Sequence, residues 1–257
     1  MTTSKGGARM EDKMIRTARM KLDSAQRIMV MSGAGLSTEA GIPDFRSKNG
    51  LYSQNFFGYN PETILSHDFY LNQTELFYDY LRTRLNYTGI LPDESYRLLA
   101  HLEATGKVHA IITQNIDSLH LEAGSERVIE LHGTLKRYYC DKCETPYDPI
   151  QMMTPGQSPH CECGGLIRPD VVLFDESVPR IGDAWMTADQ CDLLLVLGTS
   201  LRVYPAASLP TLFLEKKLPV VIINRDPTPY ALSPGVTEIN GEIGKTLREL
   251  FPDFFSE

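Results

Sequence analysis

The sequence predicts an α/β protein built on a doubly wound parallel sheet, and three observations predict it. Short apolar runs recur along the chain, each closes on small or hydrogen-bonding residues, and helix-like segments separate them. Ile28-Met29-Val30-Met31 ends in Ser32-Gly33-Ala34-Gly35, and Val108 to Ile112 ends in Thr113-Gln114-Asn115-Ile116-Asp117. Leu193 to Leu197 ends in Gly198-Thr199-Ser200, and Val220 to Ile223 ends in Asn224-Arg225-Asp226. A strand covered on both faces shows no polar alternation, so runs like these read as buried parallel strands. Asp93 to Thr105 and Ala206 to Lys217 supply helical segments between them, the alternation of a doubly wound sheet. Ligands of such sheets lie beyond the carboxyl ends of the strands, where the four polar clusters gather.

The other elements follow in chain order. Residues 1–12 are expected to be disordered. Glu11 to Ser24 is amphipathic, with Met14, Ile15, Ala18 and Leu22 in a helical stripe and Met20 off it. Asn49 to Tyr87 is rich in aromatic residues and reads as loops and helices without a clear strand. Tyr138 to Arg168 carries paired cysteines among Pro146, Pro149, Pro155 and Pro159. Both segments break the alternation and read as insertions that form a smaller domain. The large domain is therefore discontinuous: 13–48, 88–137 and 169–257, with 49–87 as a helical insertion and 138–168 as a metal-binding module.

With 257 residues, 42% hydrophobic and 23% charged, the chain has ample material for a buried core. It holds no apolar run of the roughly 18 residues that a membrane span needs, and Met1 to Lys13 lacks the apolar stretch of a secretory signal. A cytoplasmic location is expected. A net charge of −8 argues against nucleic acid as a partner, because phosphate binding needs a basic surface; it is compatible with cationic protein substrates.

Gly33-Ala34-Gly35 follows a strand-like run, the context of a turn that brings backbone close to a pyrophosphate at a helix N-terminus. Thr38 stands where a dinucleotide fingerprint has its third glycine, and no acidic residue follows at the spacing that holds a ribose. The dense run Gly41-Ile42-Pro43-Asp44-Phe45-Arg46 is unlike a dehydrogenase. Cys140 and Cys143 form a CxxC pair and Cys161 and Cys163 a CxC pair, which together can close a tetrahedral thiolate shell around a structural zinc. His160 is expected to face solvent rather than replace a thiolate, and Cys191 to be a small buried hydrophobe.

These residues resemble a known family. Gly33-Ala34-Gly35-Leu36-Ser37-Thr38-Glu39-Ala40-Gly41-Ile42-Pro43-Asp44-Phe45-Arg46, with Gly50-Leu51-Tyr52 after it, is similar to the first signature of the sirtuins. Thr113-Gln114-Asn115-Ile116-Asp117-Ser118-Leu119-His120 and Glu130-Leu131-His132-Gly133 resemble the second and third. The cysteine pairs, Gly198-Thr199-Ser200-Leu201, Asn224 and Gly241-Glu242-Ile243 come in the same order, so the resemblance runs from about Lys13 to Leu250.

The resemblance implies a Rossmann-like domain, a smaller domain of helical and zinc parts, and a cleft between them that takes NAD and an acyl-lysine peptide. NAD is then a co-substrate whose nicotinamide–ribose bond is broken. By resemblance, His132 is the general base on the ribose hydroxyl, Asn115 orders the ribose pocket and its water, and Asp117 holds the nicotinamide carboxamide. A histidine suits the first role because its pKa of about 6.5 lies near working pH. Gly33, Ala34, Gly35, Thr38, Asp44, Phe45, Arg46, Gln114, Ile116, Gly198, Thr199, Ser200, Asn224, Glu242 and Ile243 match the remaining NAD positions. Val171, Val172 and Phe174 match the segment that pairs with the substrate backbone by strand addition, Val172 offering its carbonyl. Arg225-Asp226 reads as a strand-end salt pair outside the site.

Two departures stand out. Asp175 occupies a position where relatives commonly have glycine, which bears on peptide preference. Tyr96 stands where many relatives have histidine, with packing as its expected role. Relatives that remove succinyl or malonyl groups carry tyrosine and, three residues on, arginine; here Leu81 follows Tyr78 at that spacing and Arg82 is displaced by about 100° around a helix. Removal of acetyl groups is therefore expected, with transfer of ADP-ribose to protein, or an inactive NAD- and zinc-binding module, as the rival readings.

Overall fold

The computed structural model describes residues 4–48 and 50–256. Its main sheet has six parallel strands in the order β3-β2-β1-β7-β8-β9. They are β1 (Ile28–Ser32), β2 (Val108–Thr113), β3 (Val128–Glu130), β7 (Leu193–Leu197), β8 (Val220–Asn224) and β9 (Val236–Asn240). All of the apolar runs are therefore strands, and they occupy the centre of the sheet. Side chains alternate between its faces. Ile28 and Val30 of β1 join a core with Leu193, Leu195, Val221 and the helix Glu94–Ala104. Met29 and Met31 join another with Leu194, Val196, Val220 and the helices Ile181–Ala188 and Leu209–Glu215. Two buried faces on one strand are what require helices on both sides.

From β1 the chain winds outward through β2 and β3, then returns to β7 on the other side of β1 and winds outward again through β8 and β9. The connections that follow β1 and β7 lead to opposite sides of the sheet, so the switch point of the topology, where ligands of such sheets bind, lies at the carboxyl ends of these two strands.

A second, antiparallel sheet has the order β5-β4-β6: β4 (Gly133–Cys140), β5 (Pro146–Tyr147) and β6 (Ile167–Val171). It packs with the helices Pro61–Ile64, His67–Asn72 and Thr74–Arg84. Phe77, Tyr78 and Leu81 share one apolar core with Tyr138, Cys140, Met152 and Ile167. The two segments that break the β–α alternation thus bury their apolar surface against each other.

The structure differs from expectation at the N-terminus. A helix spans Ser4–Ser24, so the described part of the segment expected to be disordered is helical, and residues 1–3 lie outside the described residues. Ala8, Arg9, Met10 and Glu11 are strong helix formers that extend the amphipathic stretch backward. Along that stretch Ala18 and Leu22 are buried, Met14 and Ile15 pack on the same core, and Met20 is exposed.

Candidate functional site

The carboxyl ends of β1, β2, β7 and β8 surround a cavity of about 1010 Å³ that continues to the segment after β6. Cavities that bury small ligands run from about 300 to 1,000 Å³, so this one has room for a dinucleotide with a peptide side chain beside it.

The loops after β1 and β7 form its floor. Gly33, Ala34, Gly35 and Thr38 line it from one side and Gly198, Thr199 and Ser200 from the other. The glycines of this turn also permit a close approach between backbones. A Cβ on Gly33 or Gly35 would come within 2.8 Å of Gly198, and one on Gly198, at φ +62°, would meet the Leu36 nitrogen at 2.3 Å. They let two loops touch. The Gly33 and Gly35 N–H groups donate to the carbonyls of Leu197 and Gly198, and the helix that follows, Ala34–Ser37, is a single turn. A helix-terminus anion site is therefore not what the turn provides; Ala34 keeps its N–H uncommitted among the described residues.

Asp44, Phe45 and Arg46 form the cavity's outer wall. Asp44 accepts from the Ser47 N–H at 2.7 Å, and the Asp44 and Phe45 carbonyls accept from Leu51 and Tyr52, which folds the loop back on itself. Phe45 packs on the Tyr52 ring, and Arg46 lies over that ring and pairs with Glu62 at 3.3 Å. Asn224, Glu242 and Ile243 line the far end. Arg225 and Asp226 do pair at 3.1 Å, as expected, but both line the cavity, and Arg225 also approaches Asp44 at 3.8 Å. Their place at the end of β8 was the signal that brings them into the site. Tyr52, from the end of the first signature, also lines it, as do Arg202 and Tyr204, which no motif announces.

The residues after β2 meet those after β3 at the centre. Gln114, Asn115, Ile116 and His132 all line the cavity. Gln114 ties three strand ends together: its N–H donates to Ser32, its side-chain amide donates to Thr199 at 3.0 Å, and its carbonyl lies 3.0 Å from His132 Nδ1. Burial holds His132 below its ordinary pKa, the Gln114 carbonyl opposes this, and the Arg46 charge adds to it. Asn115 is buried, and its side-chain amide donates to Ser37 Oγ at 2.9 Å and to the Gly33 carbonyl at 3.2 Å.

Of the residues expected to meet NAD or the peptide, Asp117 alone does not line the cavity. It sits behind Asn115, where its carboxylate accepts from Ser37 Oγ at 2.7 Å and from the Leu119 N–H at 3.0 Å. Burial raises its pKa, and those two hydrogen bonds work against the rise.

Val171, Val172 and Phe174 line the cavity as well. The Val172 N–H donates to the His132 carbonyl, while the Phe174 N–H and carbonyl are taken by Leu65 and His67. Arg168 donates to the Val171 carbonyl and the Glu176 N–H to that of Leu173. Among the described residues, Val172 alone in this stretch keeps a carbonyl without an intramolecular donor. Asp175 has φ +72°, which accounts for the glycine usual there. Glu176 anchors the turn: it accepts from Arg168 through both oxygens, from the Leu173 N–H and from His67, and these partners hold its pKa down at about 2 against the opposing cost of burial.

The thiolates meet as expected. Cys140, Cys143, Cys161 and Cys163 place their sulfurs within 4.8 Å of one another, with Cys140–Cys163 at 3.5 Å and Cys143–Cys161 at 3.6 Å. A tetrahedral shell with zinc–sulfur bonds of about 2.3 Å has edges of roughly 3.8 Å, so the set fits zinc and leaves no position open for a water. His160 is exposed and outside the set, and Cys191 is buried in the core of the main sheet.

The Sir2 family model matches residues 33–205. A curated NAD-dependent protein deacetylase from Clostridium tetani is 43% identical over 231 residues, covering 88% of this chain and 92% of the relative. One from Sulfolobus acidocaldarius is 39% identical and covers 84% of this chain and 85% of its own. A solved structure of Sir2 with a p53 peptide and NAD+ superposes with a TM-score of 0.83 at 34% identity, over 95% of this chain and 99% of that one. The chain belongs to the Sir2 family and is a sirtuin.

Proposed function

We propose that this sirtuin is an NAD-dependent protein-lysine deacetylase whose products are nicotinamide, free lysine and O-acetyl-ADP-ribose. The observation that carries the reading is that one cavity is lined by the glycine loops, by His132 and by Val172, whose carbonyl has no donor among the described residues. Loss of nicotinamide leaves positive charge at the ribose C1′ carbon, and the acetyl oxygen of the substrate attacks there. Asn115 orients the ribose and its water at that point. His132, with Nδ1 committed to Gln114, presents Nε2 as an acceptor, takes the ribose hydroxyl proton, and frees that oxygen to attack the acyl carbon. Water then completes release of the acetylated ADP-ribose. Asp117 supports this from behind, holding Ser37 and the Leu119 turn so that Asn115 stays in register.

The substrate segment adds to the strand at Val171–Phe174, with the acyl-lysine N–H donating to the Val172 carbonyl. The same feature favours lysine deacylation over ADP-ribosylation of protein, which needs no backbone acceptor beside the acyl group. The chamber beyond is apolar, lined by Phe77, Leu81, Leu85 and Leu135. Arg82 cannot serve an acidic acyl group from its place: it donates to the carbonyls of Met152 and Gln157 and lies over the Tyr78 ring. A neutral acyl group is therefore the substrate.

Zinc held by the four cysteines braces the core shared by the helical and antiparallel segments, which we treat as one small domain. Thiols kept for a metal also suit a reducing compartment, in keeping with the cytoplasm. Mass spectrometry of an acetyl-lysine peptide with and without NAD tests the reading. The peptide should lose its acetyl group only with NAD, and nicotinamide should inhibit by re-entering beside Asn115 and reversing the first step. Deacetylation without NAD, or an ADP-ribosylated protein in place of deacetylated peptide, would refute it.

A further inference from the structure

Tyr96 lies outside the cavity, yet its hydroxyl ends in the group of side chains that holds Asn115. It sits in the first turn of the helix Glu94–Ala104, whose Asp93 cap accepts from the Ser95 and Tyr96 N–H groups. Its ring is fully buried edge-on against His120, with centroids 4.7 Å apart. The hydroxyl is 2.7 Å from Ser37 Oγ and 3.4 Å from Asn115 Nδ2.

Counting protons fixes the direction of each bond. Ser37 has one hydroxyl proton and gives it to the Asp117 carboxylate. Its oxygen must then accept in its other two contacts, from Asn115 Nδ2 at 2.9 Å and from the Tyr96 phenol. The second proton of the Asn115 amide goes to the Gly33 carbonyl. Both amide protons are therefore committed, and rotating the carboxamide would forfeit two hydrogen bonds in a buried setting. Among the described residues its carbonyl oxygen accepts no hydrogen bond, and it belongs to a residue that lines the cavity. Packing alone, the role expected from the sequence, does not account for a hydroxyl placed to fill the last acceptor site of Ser37.

We propose that Tyr96 is a positioning residue for cleavage of NAD: its hydroxyl fixes Ser37 and, through it, the orientation of the Asn115 carboxamide toward the reacting ribose. The proposal rests on the deacetylase reading above and adds a residue to it.

The test compares Tyr96→Phe, Ser37→Ala and the double variant of the full chain. Readouts are kcat, KM for NAD and peptide, exchange of labelled nicotinamide into NAD, and thermal midpoint. Tyr96→Phe should lower kcat and nicotinamide exchange together by about tenfold or more, the scale of one buried hydrogen bond. Peptide KM should stay within roughly twofold, since the Val172 strand is untouched. Added to Ser37→Ala, the substitution should cost less than about threefold further, because both changes remove one contact. Three results would overturn the proposal: kcat within about threefold of the unmodified protein, effects that multiply fully in the double variant, or reduced deacetylation with exchange unchanged. If Tyr96→Phe does not fold, Tyr96→His, which keeps a ring and an N–H donor, takes its place in the cycle, and fully multiplying effects again overturn it. An unmodified protein with no NAD-dependent turnover would instead sink the deacetylase reading and this proposal with it, a distinguishable failure.

Discussion

The Nδ1 of His132 lies 3.0 Å from the backbone carbonyl oxygen of Gln114 and donates its proton to it, so the next residue toward the cavity floor sets the tautomer of the ring. Only Nε2 is left to accept a proton. Because burial lowers the pKa of His132, the neutral, basic form persists to lower pH than in a free histidine. The acid limb of kcat/KM should therefore have its midpoint below about 6.5, the ordinary value. Activity is full above that midpoint and is lost as pH falls through it; a midpoint above the ordinary value would contradict the assignment. His132→Ala should cost about 10²- to 10⁴-fold in turnover, the usual size of a general base, while leaving the thermal midpoint nearly unchanged.

Glu176 couples three segments through one carboxylate, and its loss should be felt in peptide binding. Glu176→Gln weakens the pairing with Arg168 and His67 and the grip on the Leu173 N–H. We expect a loss of about 1–3 kcal/mol in stability and a peptide KM several-fold higher, with kcat little changed. The carboxylate's pKa is depressed from 4.5 to about 2, so its stabilisation is present above the unfolded value and is lost as pH falls between the two. Thermal midpoints from pH 5 down to about 2 should fall less in the Glu176→Gln protein than in the unmodified one.

Asp175 combines a left-handed backbone with a charge at the rim of the opening. Asp175→Gly relieves the conformational cost and should stabilise the protein by about 0.5–1 kcal/mol in denaturant melts. Removal of the charge should also erase a preference for Lys or Arg beside the acyl-lysine, lowering kcat/KM for such peptides by roughly threefold to tenfold relative to a neutral peptide. Equal use of cationic and acidic peptides by the unmodified protein would show that the carboxylate plays no part in recognition.

Zinc should be present at about one per chain and absent from the chemistry. Closing a thiolate shell contributes on the order of 10 kcal/mol to local folding. Cys140 and Cys161 belong to the core that also holds Phe77 and Tyr78, so the damage should spread beyond the cysteine turns. Replacing Cys140 or Cys163 with Ala should lower both the thermal midpoint and peptide affinity. A zinc-free protein that kept both would give the cysteines another role.

Strands β1, β2, β7 and β8 were legible because central strands of a parallel sheet are apolar on both faces. The edge strands β3 and β9 were not. Val128–Glu130 is three residues long, and Val236–Asn240 carries Thr237, Glu238 and Asn240, whose polarity hides a strand. Glu238 is buried there because Thr228 donates to it through both its N–H and its hydroxyl, a partner no local pattern reveals. At the site, the motifs located most of the polar lining residues but neither Arg202 and Tyr204 nor the depth at which each residue sits. Asp117 shares a motif with Asn115 yet turns behind it to Ser37, a contact across 80 positions. Tyr96 carries no motif, and only tertiary packing shows where its hydroxyl points. The glycines of the first turn read as a close approach, and tertiary packing adds what the motif does not show, that the Gly198 backbone lies against Gly33 and Gly35.

The central claim, acetyl transfer to ADP-ribose through attack by the acyl oxygen, is tested most directly by following that oxygen. An acetyl-lysine peptide labelled with ¹⁸O at the acetyl carbonyl is incubated with the protein and NAD, and the products are weighed by mass spectrometry. The account predicts the label on the ribose of O-acetyl-ADP-ribose, at the carbon that lost nicotinamide, with one nicotinamide released per lysine freed. Label recovered in free acetate with NAD intact would contradict it.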